Sequence, residues 1–203
     1  MNTPPYRIVT ERLVLRCWER RDARLLKEAV DSSLEDLRPW MPWAEHEPQT
    51  LEEKVALLRT FRGDFDLGND FVYGVFSRDE AGVVGGSGLH LRRGPDAFEI
   101  GYWIRADHAG QGLATEATAA LTRVGFELGG VDRIEIRCDP TNERSRVIPH
   151  KLGYVEEATL RRRLRYPEPR DVVIYTLFRD AFAGSPAASA SVEAYDVLGE
   201  RVL

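Results

Sequence analysis

The sequence predicts an α/β protein of the α+β kind, with a single mixed, mostly antiparallel sheet flanked by helices. Three observations lead there. Short apolar, alternating runs are joined by charged or turn-rich segments, which favours antiparallel hairpins. One strand–helix–strand passage in the middle of the chain adds a crossover to that pattern. The 203 residues, 43% hydrophobic and 30% charged, suffice for one substantial core.

Residues 6 to 19, YRIVTERLVLRCWE, alternate around Leu13 and Leu15, as strands or a hairpin do. In RRDARLLKEAVDSS, Leu25, Leu26, Ala29 and Val30 recur at helical spacing, with Asp22 near the start. Residues 37 to 50 contain three prolines and two tryptophans, so they read as a loop with large apolar side chains. Thr50 followed by Glu53 is a capping pattern, and Leu51, Val55, Leu58 and Phe61 form the stripe of the helix it opens. Strands follow at 70–77, 82–92 and 97–105, separated by RDEA and RGPD. A helix over about 112–129 places Leu113, Ala117, Ala120, Leu121, Val124 and Leu128 on one side, and Gly129-Gly130 stops it. The strand RIEIRCD, the helix NERSRVIPHKLG, and the strands YVEEATLRRRLR and DVVIYTLFRD complete the pattern. One domain over 1–182 results, with 183–203 a linker-like tail whose VEAYDVLGERVL could form a short docked element.

The net charge of −5 disfavours bulk nucleic-acid binding, which depends on neutralising many phosphates. The local cluster LRRRLR at 160–165 reads either as a charged strand edge or as a contact for an anionic partner. No apolar run reaches the ~20 residues of a membrane span. With no export-signal core and only Cys17 and Cys138, the expected setting is a reducing cytoplasm. His46, His90, His108 and His150 form no metal-ligand spacing, so no metal is expected.

Gly110 and Gly112 stand between an apolar strand and a long alanine-rich helix. Taken alone, such a pair also suits a plain strand-to-helix turn. A helix N-terminus, however, presents unpaired N–H groups and about half a positive charge, and glycines there remove the Cβ atoms that would hold an anion off. On this reading the amides from Gly110 to Thr115 form a pyrophosphate cradle.

EIGYWIRADHAGQGLATEA and IRCDPTNERSRVIPHKLGY, in that order, resemble the GNAT acyl-CoA-dependent N-acyltransferases, specifically the RimJ/RimL-type branch that acetylates ribosomal-protein N-termini. The likeness runs over roughly residues 8 to 180 and includes TERLVLRCWERRDA and RPWMPW. It implies the GNAT fold, with the sheet splayed between its fourth and fifth strands, here about 97–105 and 132–138. It also implies acetyl-CoA as cofactor, its pantetheine arm paired with the backbone of Tyr102, Trp103 and Ile104. The pyrophosphate would meet Gln111, Gly112, Leu113, Ala114 and Thr115, with Asn142 a further contact and helix cap. Arg144, Arg146 or Lys151 would meet the 3′-phosphate. The family motif places a serine at Ser145 as general acid for the leaving thiolate; holding the sulfur or the first helical turn is the other reading.

Acyl transfer to an amine also involves a proton acceptor. Glu99 shares a strand face with Gly101 and Trp103 and is the first candidate; a solvent-facing carboxylate is the alternative. His90 on the neighbouring strand is the second candidate and a possible acceptor-pocket residue. Trp40, Met41 and Trp43 are expected either to wall that pocket or simply to pack a proline-rich loop onto the core. The expected activity is N-acetyl transfer by direct amine attack in a ternary complex, with no covalent enzyme intermediate. The acceptor is a peptide N-terminus or, alternatively, a small-molecule amine. A CoA-binding module without activity is the non-enzymatic alternative, and a second copy of the chain a possible partner.

Overall fold

The computed structural model describes residues 4–164 and 168–203. The chain opens with a hairpin, β1 (Arg7–Val9) and β2 (Leu13–Cys17), so the 6–19 segment contributes two strands. Helices α1 (Ala23–Asp31), α2 (Leu34–Leu37) and α3 (Leu51–Leu67) follow. The proline-rich loop between α2 and α3 contains a 3₁₀ turn over Pro42–His46. Thr50 caps α3 by accepting the Glu53 amide at 3.2 Å, while the Glu53 carboxylate accepts the Thr50 amide at 2.7 Å.

Strands β3 (Phe71–Ser77), β4 (Val83–His90) and β5 (Ala97–Ile104) form an antiparallel meander. Helix α4 (Leu113–Glu127) crosses to β6 (Arg133–Cys138), which pairs parallel to β5. Then come α5 (Glu143–Leu152), β7 (Val155–Leu164), β8 (Arg170–Phe178), α6 (Arg179–Phe182) and β9 (Glu193–Tyr195). The sheet runs β7-β8-β6-β5-β4-β3-β2-β1-β9. Because the N-terminal run is a hairpin, the expected fourth and fifth strands are β5 and β6.

The larger core cluster joins Phe98, Ile100, Ile134, Ile136 and Tyr175 of the sheet to α4 and α5. A second cluster joins Val14 and Phe76 to α1 and to Leu58 of α3. At the end of α4, a Cβ on Gly129 would lie 2.5 Å from Phe98 Cε2 and 2.7 Å from the Gly125 carbonyl oxygen. Hydrogen at that position lets the helix close onto β5.

The tail is packed over 183–191, where a linker was expected, and VEAYDVLGERVL forms a docked element. Ala187, Val192 and Ala194 are buried, Arg123 donates to the Ala190 carbonyl at 2.8 Å, and β9 pairs antiparallel with β1. The free edge of β1 needs hydrogen-bond partners, and β9 supplies them. Small residues carry no periodic signal, so their tight packing against α4 was not readable from composition. Arg161, Arg162 and Arg163 are exposed on the edge strand β7; the expected cluster's last residue, Arg165, lies outside the described residues.

Among the described residues, no helix is long and apolar enough to cross a membrane. The Gly129→Ala variant should lose about 1–3 kcal/mol through overpacking, read as a lower urea midpoint with unchanged m-value.

Candidate active site

The cross-strand pairs between β5 and β6 end at Ile100↔Ile136. Beyond them β5 stays paired with β4 as far as Ile104↔Gly85, and β6 with β8 as far as Cys138↔Val173. The facing edges of β5 and β6 therefore lose their partners while both strands remain anchored on their outer sides. A cavity of about 510 Å³ opens there, lined by Tyr102, Trp103, Ile104, Gly110, Gly112, Leu113, Ala114, Thr115, Asn142 and Ser145. Trp40 and Met41 line it from the loop after α2. Trp43 meets Trp103 edge-on with centroids 5.9 Å apart, behind that lining.

Gly110 and Gly112 have φ of +76° and +78°, the left-handed region that side chains avoid. A Cβ on Gly110 would meet nothing within 4 Å, and one on Gly112 only Arg12 Nη2 at 3.7 Å. The space in front of the first α4 amides is thus open and flanked by a guanidinium. These residues fit a diphosphate. Gln111 contributes backbone rather than lining: its carbonyl accepts Arg12 Nη1 at 2.9 Å.

Arg12 also tethers the β1–β2 turn to α4. Its Nε donates to Glu116 Oε2 at 2.7 Å, its amide to Oε1 at 2.9 Å, and Thr10 Oγ1 donates to Oε1 at 2.6 Å. Burial pushes the Glu116 carboxyl up, but the hydrogen bonds from Thr10 and Arg12 outweigh it and leave the carboxyl below its ordinary value. The sequence reading missed Arg12, because its proximity to the glycine turn is created only by β2 packing near α4.

On the far wall, Asn142 caps α5 by accepting the Ser145 amide at 3.1 Å. Pro149 lies inside α5 and has no N–H to offer the carbonyl of Ser145, four residues earlier. That carbonyl instead accepts the Tyr102 hydroxyl at 3.0 Å, and Ser145 Oγ lies 3.1 Å from the same hydroxyl. Burial raises the Tyr102 phenol well above its usual range, so it stays protonated. Sequence reasoning assigned Tyr102 only a backbone role; the proline inside a helical pattern was the signal for the second one.

Two site candidates are not among the cavity's lining residues. Glu99 is buried and paired with Arg93, with Arg92 at 3.3 Å and with Arg137 at 3.7 Å, outside the cavity lining. His90 also lies outside it, bound to Asp70. Of the three cations expected to meet a 3′-phosphate, Arg144 and Lys151 line the cavity. Arg146 instead donates to the Tyr175 hydroxyl at 3.0 Å and lies 3.7 Å from Glu156. Burial pushes the Cys138 thiol up to about 11 against a hydrogen bond with Ser145, and the Cys17 thiol up to about 12, so neither is an activated nucleophile. Among the described residues no His, Cys, Asp and Glu cluster could hold a metal ion.

The model of the acetyltransferase (GNAT) domain matches residues 12–155. The chain belongs to the GNAT family. It is an N-acetyltransferase of that family, similar to the ribosomal-protein acetyltransferases of the RimJ/RimL branch. Over 161 residues it is 29% identical to the [ribosomal protein uS5]-alanine N-acetyltransferase of Escherichia coli, covering 77% of this chain and 81% of that protein. Its fold matches the ribosomal-protein-S5-alanine acetyltransferase of Vibrio fischeri with a TM-score of 0.78 at 21% identity, over 87% of this chain and 98% of that one. It also matches RimL, the ribosomal L7/L12 alpha-N-protein acetyltransferase, in a complex with coenzyme A, with a TM-score of 0.76 at 20% identity, over 89% and 99%.

Gly112→Glu should weaken CoA binding by at least about 100-fold in calorimetry while the far-UV spectrum stays that of the parent. Glu116→Gln tests the tether. The lowered carboxyl contributes stability above the unfolded-state value of about 4.3 that is lost as pH falls through the lower folded value. Urea midpoints should therefore separate parent and variant near pH 7 and converge on acidification.

Proposed function

We propose that this N-acetyltransferase transfers an acetyl group from acetyl-CoA to the α-amino terminus of a protein or peptide. The observation that carries the reading is the unpaired β5 edge from Gly101 to Ile104, opening beside the glycine turn of α4. Acetyl-CoA, when bound, supplies the acyl group as a thioester. The amides from Gly110 to Thr115 would hold its diphosphate, with Arg12 adding charge at Gly112 and Arg144 or Lys151 available to the 3′-phosphate. The backbone of Tyr102, Trp103 and Ile104 would pair with the pantetheine amides as an added strand.

Ser145 Oγ and the Tyr102 hydroxyl form a proton-bearing pair at the end of that edge. They can deliver a hydrogen bond, and through Ser145 a proton, to the departing sulfur. A thiolate with pKa near 8.5 already leaves readily, so this assistance is modest. Trp40 and Met41 would wall the acceptor channel, with Trp43 buttressing Trp103.

An α-amine suits this site better than a lysine side chain. Glu99 is committed to three arginines, and an α-amine is already about a tenth neutral at pH 7, against ~0.04% for a lysine amine. The names of the ribosomal-protein relatives support the same acceptor class.

A thiol-release screen with acetyl-CoA over N-terminal peptides, lysine peptides and small amines tests the reading. Turnover with peptide α-amines is expected; preference for a small amine would replace the acceptor assignment. Ser145→Ala should lower kcat roughly tenfold and leave CoA affinity nearly unchanged. Equal losses in both would make Ser145 a binding residue.

A further inference from the structure

His90 closes β4 opposite Glu99 of β5, and its ring folds back over the sheet. A Cβ on Gly88 would lie 2.8 Å from Nε2, and one on Gly101 would lie 3.6 Å from the same nitrogen. Hydrogen at Gly88 leaves the ring its present place, and the ring lies within van der Waals reach of Gly101. Gly101 is the first β5 residue beyond the last β5–β6 pair. Nε2 therefore stands where the sheet begins to open.

The other ring nitrogen is held. Nδ1 lies 2.9 and 2.8 Å from the two carboxylate oxygens of Asp70. An ionised carboxylate only accepts, so Nδ1 carries a hydrogen, and the neutral form of the ring then has its lone pair on Nε2. Among the described residues no hydrogen bond reaches Nε2. The side chain is 17% exposed, shielded from bulk water yet reachable.

The neighbouring charges leave this nitrogen as the available base. Asp70 is engaged with Nδ1, and Glu99, across the strand pair, is paired with Arg93 of the β4–β5 turn, Arg92 and Arg137 of β6. Glu135, beside Glu99 in the β5–β6 register, is bound by Arg133 and Arg137 at 3.0 and 2.7 Å. Every carboxylate on this stretch of the sheet is already neutralised by a cation or held by His90 itself.

We propose that His90, oriented by Asp70, accepts the proton that the acceptor amine gives up, an inference that rests on the reading of the protein as an amine acetyltransferase. As the acceptor nitrogen bonds to the acyl carbon, the carbon–sulfur bond breaks with its electron pair on sulfur. One N–H proton passes to Nε2. The sulfur takes the proton of the Ser145 hydroxyl, which solvent reprotonates, and the imidazolium returns its proton to solvent. Asp70 is a positioning residue in this scheme, fixing the tautomer and the ring plane.

Two measurements on the whole 203-residue chain test the proposal. In the free protein at pH 8, two-bond ¹H–¹⁵N spectra should show His90 protonated on Nδ1 and bare on Nε2, and Asp70→Asn should release the opposite tautomer. With a peptide the parent acetylates, His90→Gln should lower kcat about 100-fold with KM within about threefold and acetyl-CoA affinity unchanged. His90→Ala should regain part of the loss on addition of imidazole, and Asp70→Asn should lower kcat about tenfold without that rescue. A proton found on Nε2 in the parent, or a His90→Gln kcat within about threefold of the parent, overturns the proposal. A parent that releases thiol with no amine counts against the transfer reading itself, and the tautomer measurement then decides the orientation of His90 on its own.

Discussion

Beyond Ile100 and Ile136 the backbones of β5 and β6 part, each still held on its far side, β5 by β4 and β6 by β8. A sheet interrupted in this way places unsatisfied amides and carbonyls of one strand at a cavity wall, where main-chain groups demand partners. Every other feature of the site is arranged around that demand. The α4 turn supplies amides beside it, α5 supplies the opposite wall, and the loop after α2 covers the mouth.

Polar contacts tie the walls of the opening to one another and to the loop after α2. Tyr102 reaches from β5 to Ser145 of α5, and Arg170 of β8 lies 2.7 Å from Asp139 at the end of β6 while donating to the Pro39 carbonyl at 2.8 Å. The second contact anchors the loop bearing Trp40 to the β8 side, with the guanidinium 5.7 Å from the Trp40 ring centroid. A separate tether, from Arg12 and Thr10 to Glu116, fixes the start of α4 against the first hairpin. The site is thus built from elements distant in sequence.

That distance explains what was legible. Periodicity and capping residues placed the strands and the long helices, because those signals are local. The Gly110–Gly112 turn was legible for the same reason: left-handed backbone at a helix start has few other solutions. Partnerships across the fold were not. Alternation put Glu99 on one face with Gly101 but could not reveal Arg92, Arg93 and Arg137 gathered on its carboxylate. Likewise nothing local marks Asp70 as the partner of His90, since the two approach only once β3 and β4 are side by side. The alanine-rich tail lacked periodicity, and its burial depends on the shape of α4.

Pro149 gives one of these distant contacts a cost. Helix α5 forgoes an internal bond so that the Ser145 carbonyl can receive a phenol from another element. An alanine there would make a better helix and at the same time offer that oxygen a rival donor from its own chain. Thermal robustness and alignment of the Tyr102–Ser145 pair therefore pull in opposite directions at this position, and selection for a sturdier α5 alone would erode the geometry of the cleft.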